Sequence, residues 1–157
     1  MRCLILSYIC MMLAGCGLDE TLHRSDQPLS LAAARTNEWV SSMPFPASTT
    51  DIFYLFHAGG MQEHQFLVRF TVASNELDTA VAALLADHGK TTRETNRYAS
   101  ASLPSALAMP EFPQFAPMPW WNPGAITNGY QRHCATGQPF DLWVDAVRHT
   151  IYLCETD

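Results

Sequence analysis

The sequence predicts an α+β domain of two layers, in which one main helix covers one face of an antiparallel sheet. Two pairs of short segments with alternating hydrophobicity, each pair joined by a turn, indicate two β-hairpins. A segment with helical spacing of apolar residues lies between the pairs. Because consecutive strands usually pair with each other, this order favours a single sheet built from the two hairpins. The alternative is a β-sandwich with a helical insertion.

The first hairpin has the clearest pattern. Residues 51–57 are rich in aromatic and β-branched side chains, which is typical of a strand, and the turn follows at residues 58–60. Residues 64–72 then alternate strictly, so that one face of the second strand consists of Phe66, Val68, Phe70 and Val72.

The main helix is predicted to follow this hairpin. Ser74 or Asn75 caps its first turn, and Gly89 ends it. Its apolar face consists of Leu77, Val81, Leu84, Leu85 and His88. Residues 29–40 also permit a short helix, while the polar residues 91–102 give no firm prediction.

A long loop rich in proline and aromatic residues is predicted over residues 103–124, which hold six of the ten prolines. Proline disfavours both a helix and a central strand. The segment also contains too many rings for a solvated linker, namely Phe112, Phe115, Trp120 and Trp121. We therefore expect an ordered loop whose rings enter the core. The second hairpin follows, with strands over residues 140–144 and 149–154.

Composition limits the classes of partner. The chain has 157 residues, of which 48% are hydrophobic and 15% charged, so it can form one domain with a sizeable core. Its formal net charge is -6 at pH 7, and Lys90 is the single lysine. A chain of this charge lacks the clustered positive field that nucleic acid requires, so no nucleic-acid partner is expected.

The N-terminus has the features of an export signal. Arg2 precedes an apolar run over residues 3–13, which is shorter than the roughly 20 residues that a membrane-spanning helix needs. The run ends in Leu13-Ala14-Gly15-Cys16, which resembles the lipobox of bacterial lipoproteins. In that family the cysteine thiol receives diacylglycerol, and a peptidase then cleaves the chain just before the cysteine. An ordinary signal peptide cleaved after Ala14 or Gly15 is the alternative.

The resemblance implies a lipid-anchored protein of the bacterial cell envelope. Residues 1–15 would be the signal peptide, and acyl chains such as palmitate on Cys16 would hold the protein on a membrane, because two or more chains make anchoring stable. Gly17, not Asp, follows Cys16. In this family that implies the outer membrane, facing the periplasm. The hydrophilic residues 16–28 are expected to form a flexible tether, and residues 29–157 a single globular domain.

The remaining cysteines predict a disulfide. After cleavage and lipidation only Cys134 and Cys154 are left, and an exported protein enters a compartment where disulfides persist. A bridge between them would close a loop of about 20 residues and stabilise the fold by roughly 3 kcal/mol. A metal site with His133 or His149 is the weaker alternative, since there is no Cys-x-x-Cys spacing.

No recognisable catalytic constellation accompanies these features, so no catalytic residue and no cofactor are predicted. His57 and His64 flank the first turn and are weak candidates for a metal site, although no His-x-His or His-x-x-x-His spacing exists. No Gly-x-Ser-x-Gly motif marks a nucleophile. Asp141 and Asp145 could share a strand face, as a catalytic acid and base would. A solvent-exposed outer face of the sheet is the simpler interpretation of these two carboxylates.

The proline and aromatic loop supplies the predicted binding surface, formed by Trp120, Trp121, Tyr130 and Arg132. Adjacent tryptophans in an extended segment point to opposite sides, so one ring could enter the core while the other stays available. The leading hypothesis is a non-catalytic binding or accessory module for an envelope protein or glycan. The alternatives are a small periplasmic hydrolase or metal-dependent enzyme using His57 and His64, and an inhibitor or immunity-type lipoprotein with an acidic binding surface.

Overall fold

The computed structural model describes residues 21–59, 64–87, 92–98, 117–134 and 140–156. Within these ranges the α-helices are α1, Leu31–Ala34, and α2, Leu77–Asp87, the second preceded by a 3-10 turn over Ser74–Glu76. Its strands are β1 Thr21–Arg24, β2 Thr50–Ala58, β3 His64–Thr71, β4 Thr92–Tyr98, β5 Gly129–Cys134, β6 Phe140–Asp145 and β7 Thr150–Thr156. Together the strands form one antiparallel sheet in the order β1-β2-β3-β7-β6-β5-β4.

The predicted antiparallel sheet with one main helix is present, which is consistent with an α+β or a β-rich domain. Both predicted hairpins are present, as the pairs β2–β3 and β6–β7. The sheet is nevertheless larger than two hairpins, because β1, β4 and β5 extend it to seven strands. The described strands form one continuous sheet and not the two packed sheets of the β-sandwich alternative.

One face of the sheet packs against α2. The helix buries Leu77, Val81 and Leu84 on this face, as predicted, and Ala80 with them, while Leu85 is partly buried and His88 lies outside the described residues. They pack against alternate residues of the central strands, including Val68, Phe70, Leu142, Val144, Ile151 and Leu153. Because side chains alternate between the faces of a strand, these residues form a continuous apolar layer, which we call the helix face.

The opposite face has a core of its own, which we call the tryptophan face. Leu55, Leu67, Trp143, Tyr152 and Cys154 are buried there beneath Trp120 and Ile126. The predicted packing of the proline and aromatic loop therefore holds for residues 117–124, while Phe112 and Phe115 lie outside the described residues. The sheet is covered on both faces, where the sequence predicted a cover on one.

The predicted tether is corrected from Thr21 onwards. Thr21 lies opposite Ala58 in the β1–β2 pair, so the chain joins the sheet well before residue 29. Ser25 then fixes the chain to β2, because its backbone N–H donates to Tyr54 O and its Oγ accepts from Tyr54 N, both at 3.0 Å. A short, polar edge strand carries little hydrophobic pattern, which is why composition alone indicated a flexible segment.

The predicted disulfide between Cys134 and Cys154 is also corrected. Cys154 is a free, buried thiol. Cys134 is at the end of β5 opposite Phe140, whereas Cys154 is in β7 opposite Asp141, so the whole of β6 lies between them. Neighbouring strands are about 4.8 Å apart, and two such steps exceed the Cα separation of about 7 Å that a disulfide allows.

No helix in the part of the chain that the structure describes is long and apolar enough to cross a bilayer.

Candidate functional site

A cavity of about 370 Å³ opens on the helix face, at the end of the sheet where β2 and β7 end and β3 begins. We call it the glutamate pocket because two carboxylates line it. It is lined by Glu38, Trp39, Phe56, His64, Phe66, Glu155 and Thr156. The site therefore draws residues from the segment after α1 and from three neighbouring strands.

A column of stacked rings forms one wall of the pocket. The ring of Trp39 lies between His23 and Phe56, with centroid separations of 4.4 and 4.3 Å, and Phe56 lies 6.1 Å from His64. The register explains the column, because His23 is opposite Phe56 and Phe56 is opposite Phe66 on the same face.

The turn that carries Trp39 is fixed by Asn37. The Asn37 side chain accepts a hydrogen bond from Trp39 N at 3.0 Å and donates one to the hydroxyl of Tyr54 at 3.2 Å. Tyr54 is a buried residue of β2, so the turn is attached to the sheet core. Trp39 is thereby held in its place in the column before any ligand arrives, which reduces the entropy that binding would cost.

Two of the described residues that line the pocket carry a carboxylate. Glu155 is opposite Phe66 in the β3–β7 pair and is partly buried, while Glu38 is exposed beside Trp39. None of the described residues that line the cavity is an arginine or a lysine. Carboxylates beside aromatic rings attract a cation through Coulomb and cation–π interactions and repel an anion.

The weak metal candidates are separated by the sheet. His57 is opposite Gln65, and His64 is opposite Ala58, so the two histidines occupy positions of opposite parity on the β2–β3 pair. Their side chains point to different faces and cannot hold one ion together. Within the described ranges, no group of three or more histidine, cysteine or acidic residues is placed to bind a metal. His64 instead lines the glutamate pocket.

Both predicted surface tryptophans pack on the tryptophan face. Trp120 is 8% exposed and stacks on Phe53 with centroids 5.5 Å apart, and the ring of Trp121 meets Trp143 and Tyr152 edge-on. The two rings share a side because the chain turns here, with Trp121 N donating to Met118 O at 3.0 Å. The expectation of opposite directions assumed an extended backbone and is wrong.

The other two residues of the predicted surface lie across the sheet. Tyr130 is opposite Val144, and Arg132 is opposite Leu142, which places both on the helix face. The Arg132 guanidinium carbon lies 5.4 Å from the centre of the Tyr130 ring. Trp120, Trp121, Tyr130 and Arg132 therefore do not form one binding surface.

The carboxylates of β6 have structural partners. Asp145 Oδ1 accepts from the backbone N–H groups of Val147 and Arg148, both at 2.9 Å, and so fixes the β6–β7 turn. Asp141 Oδ1 accepts from Gln131 Nε2 at 2.8 Å and lies 3.0 Å from His133 Nδ1. Four residues along a strand span about 13 Å, which exceeds the 5–9.5 Å of paired catalytic carboxylates.

The free thiol is not activated. Burial, together with the smaller effect of the negative charges of Asp141 and Glu155, raises the pKa of Cys154 to about 12. A cysteine acts as a nucleophile in its thiolate form, which positive charges nearby favour. Burial and two carboxylates disfavour the thiolate of Cys154. Cys154 is therefore a poor nucleophile in the folded protein.

Sequence reasoning missed most of the glutamate pocket. Only His64 was singled out, and for a different reason. The alternation of the first hairpin does place Phe56, His64 and Phe66 on one face, so that part of the pocket was within reach. Glu38, Trp39 and Glu155 come together only through the return of β7 to the centre of the sheet and the turn after α1, which no local pattern reveals. Comparisons with family models, curated proteins and solved structures found no match for this chain.

Proposed function

We propose that this chain is a lipid-anchored protein of the bacterial cell envelope that binds an organic ammonium group in the glutamate pocket and catalyses no reaction. The anchoring at Cys16 rests on the resemblance of residues 13–16 to a lipobox. The ligand class rests on one observation: two carboxylates and the stacked rings of Trp39 and Phe56 line the same cavity, with no arginine or lysine among its described lining residues.

The expected affinity follows from the contacts available. A cation–π contact contributes about 0.5–2 kcal/mol, and an ion pair that water reaches contributes about 0–1 kcal/mol. One such contact with the rings and one with each of Glu38 and Glu155 together contribute at most about 4 kcal/mol. A small ammonium ligand is therefore expected to bind with a dissociation constant of about 1 mM or weaker.

The source of the ammonium group is proposed to be a phospholipid headgroup. Cys16 and Thr21, the first residue of β1, are five residue steps apart, which span at most about 18 Å. Thr21 is opposite Ala58, and His23 belongs to the ring column, so β1 starts at the end of the sheet that carries the pocket. An acyl anchor at Cys16 would hold this end beside the headgroups, where the effective concentration of lipid ammonium groups is high.

Calorimetric titration tests the ligand class. The full chain, purified in detergent from bacterial membranes, is titrated with choline chloride and, separately, with 3,3-dimethylbutan-1-ol, which has the same shape without the charge. We expect choline alone to bind. Glu155→Gln should weaken choline binding about fivefold, and Asp78→Asn, which removes an exposed carboxylate on α2, should not change it. Equal binding of the neutral alcohol, or no effect of Glu155→Gln, would show that the proposed ligand class is wrong.

Nanodiscs test the source of the ligand. The anchored protein is placed in phosphatidylglycerol discs, with and without phosphatidylethanolamine, and choline is titrated again. If phosphatidylethanolamine competes with choline, the result supports a lipid headgroup as the ligand. If it does not compete, the headgroup is refuted as the ligand, and a soluble amine remains the candidate. The anionic disc surface itself attracts choline, so the chain with both Glu38→Gln and Glu155→Gln serves as the control that lacks the two pocket carboxylates. Mass spectrometry of the Cys16 peptide tests the anchor separately, because an unmodified thiol would refute the anchoring alone.

A further inference from the structure

A second cavity, of about 280 Å³, opens on the tryptophan face between residues 119–125 and the β6–β7 turn. We call it the arginine pocket. Its lining includes Arg69, Trp120, Asn122, Arg148 and Tyr152. It lies across the sheet from the glutamate pocket and shares no lining residue with it.

Arg69 is the reason to expect a ligand here. It lies in β3 between Phe53 on one neighbouring strand and Tyr152 on the other, with its guanidinium carbon 5.4 Å from the centre of the Phe53 ring. Its Nε is buried and has no hydrogen-bond partner in the described part of the chain. A buried N–H donor without an acceptor costs free energy, and an anion in the adjoining cavity would offset that cost by pairing with the guanidinium.

Arg148 adds a second positive charge at the opening. Its Nη1 lies 3.5 Å from Asp145 Oδ2, and its side chain is 62% exposed. Because a guanidinium carries five N–H donors, a single long contact with Asp145 leaves donors for a ligand. The Asp145 carboxylate also accepts the two turn N–H groups, so the turn holds the base of the Arg148 side chain in place.

The walls of the cavity favour a small ligand. Trp120 is fixed by its stack on Phe53, and Tyr152 is buried in the centre of the sheet, so both are held before a ligand arrives. The amide of Asn122 is exposed at the same cavity and adds a neutral donor. The volume is close to the lower limit of ordinary small-molecule pockets.

We propose that the arginine pocket binds the carboxylate or phosphate group of a small organic anion. The anionic oxygens accept charge-assisted hydrogen bonds from Arg69 and Arg148, for which the planar guanidinium is well suited. This site is independent of the lipid anchor and of the ammonium ligand.

Thermal unfolding of the full chain tests this site. The protein in detergent, at fixed ionic strength, is heated with glucuronate, with glucose 6-phosphate or with neutral glucose. We expect both anions to raise the Tm and glucose to leave it unchanged, because a ligand that binds only the folded state stabilises it. Arg69→Met, which keeps an apolar stem over Phe53, should abolish the shift. Arg35→Gln, which removes an exposed charge beyond α1, should retain it.

Several outcomes separate the proposal from its competitors. A shift with glucuronate alone, or with glucose 6-phosphate alone, identifies the anion class. An equal shift in the Arg69→Met chain, or an equal shift with glucose, overturns the proposal. If Arg69→Met fails to fold, Arg148→Gln serves instead and should weaken the binding of the anions about fivefold. Glu155→Gln should leave every shift unchanged, so failure of the ammonium site does not affect this test.

Discussion

Cys154 lies in β7, opposite Leu67 on one side and Asp141 on the other, and its side chain is 4% exposed. The thiol is buried in the core of the tryptophan face, where it packs as a small apolar side chain. Its raised pKa reflects that burial first and the neighbouring carboxylates second. The residue is therefore expected to be inert in the folded protein.

Alkylation measures this inertness. At pH 8 a pKa of about 12 in place of the ordinary 9.0 lowers the thiolate fraction about a thousandfold. We expect iodoacetamide to leave the Cys154 peptide unmodified in the native protein and to modify it fully in guanidinium chloride, as read by mass spectrometry. Rapid modification of the native protein would contradict the burial of the thiol.

The same pKa predicts how stability depends on pH. The folded-state pKa is above the unfolded one, so the thiol favours folding fully below pH 9 and progressively less as the pH rises towards 12. The difference in free energy of unfolding between the wild type and Cys154→Ala should therefore shrink between pH 9 and pH 11, as measured by urea unfolding. A constant difference over that range would show that the thiol does not ionise differently in the two states.

Gly129 begins β5 opposite Asp145, at a point where the strands leave no room for a side chain. A Cβ at this position would overlap the backbone carbonyl oxygen of Val144 and touch the Ile126 side chain at 3.1 Å. We expect Gly129→Ala to destabilise the fold by about 1–3 kcal/mol, because the neighbouring backbone must move. Gly124→Ala is the matched control, since its nearest neighbour would be 3.7 Å away. Equal unfolding midpoints in urea for the two variants would contradict the close approach.

At the scale of elements, Ser48 joins the segment before β2 to the start of α2. Its Oγ accepts from Ala73 N at 2.8 Å and donates to the Glu76 carboxylate, which also accepts from Ser48 N at 3.3 Å. These bonds satisfy groups at the helix N-terminus that the helix itself cannot pair, and they place a carboxylate where the helix dipole favours it.

Ser48→Ala should cost about 1–3 kcal/mol of stability, since it removes a hydrogen bond to a charged group and leaves the N–H of Ala73 without its acceptor. Ser42→Ala, at an exposed position in the same loop, is the control and should change stability by less than about 0.5 kcal/mol. Urea unfolding monitored by circular dichroism measures both. Equal effects would mean that Ser48 does not join the two elements.

Sequence patterns revealed the elements with strong periodicity and missed those without it. The alternation of residues 64–72 and the apolar spacing from Leu77 predicted β3 and α2 because burial on one face imposes those periods. β1 is short and polar, and the polar segment of β4 gave no prediction, so neither carries a usable pattern.

Pairing across the sheet was harder to predict than the strands themselves. The predicted second hairpin brings Cys134 and Cys154 together, yet β6 separates them once β7 returns to the centre of the sheet. The same return brings Glu155 to the side of Phe66 and so completes the glutamate pocket. The site depends on long-range register, and the sequence carries little local information about register between distant strands.

At the scale of the whole molecule, β7 holds the two halves of the sheet together. It is the last strand in the chain and lies between β3 and β6, with Phe70 opposite Ile151 on one side and Leu142 opposite Leu153 on the other. Both faces of this region are covered, one by α2 and the other by Trp120 and Ile126. Stability should therefore be highest at the centre of the sheet and lowest at its edges.

Amide hydrogen exchange tests this distribution of stability. Amides of β3 and β7 have partner strands on both sides and lie between two apolar cores, so they should exchange only through global unfolding. β1 pairs with β2 alone, and its four residues are exposed or partly exposed. Its amides should therefore open locally and exchange at least about tenfold faster than those of β3 and β7. If β1 exchanged as slowly as β7, the edge would be covered by something beyond β2. With the anchor proposed at Cys16, that cover would be the lipid surface. Repeating the measurement in detergent and in nanodiscs distinguishes these cases, because protection that appears only in nanodiscs would come from the bilayer.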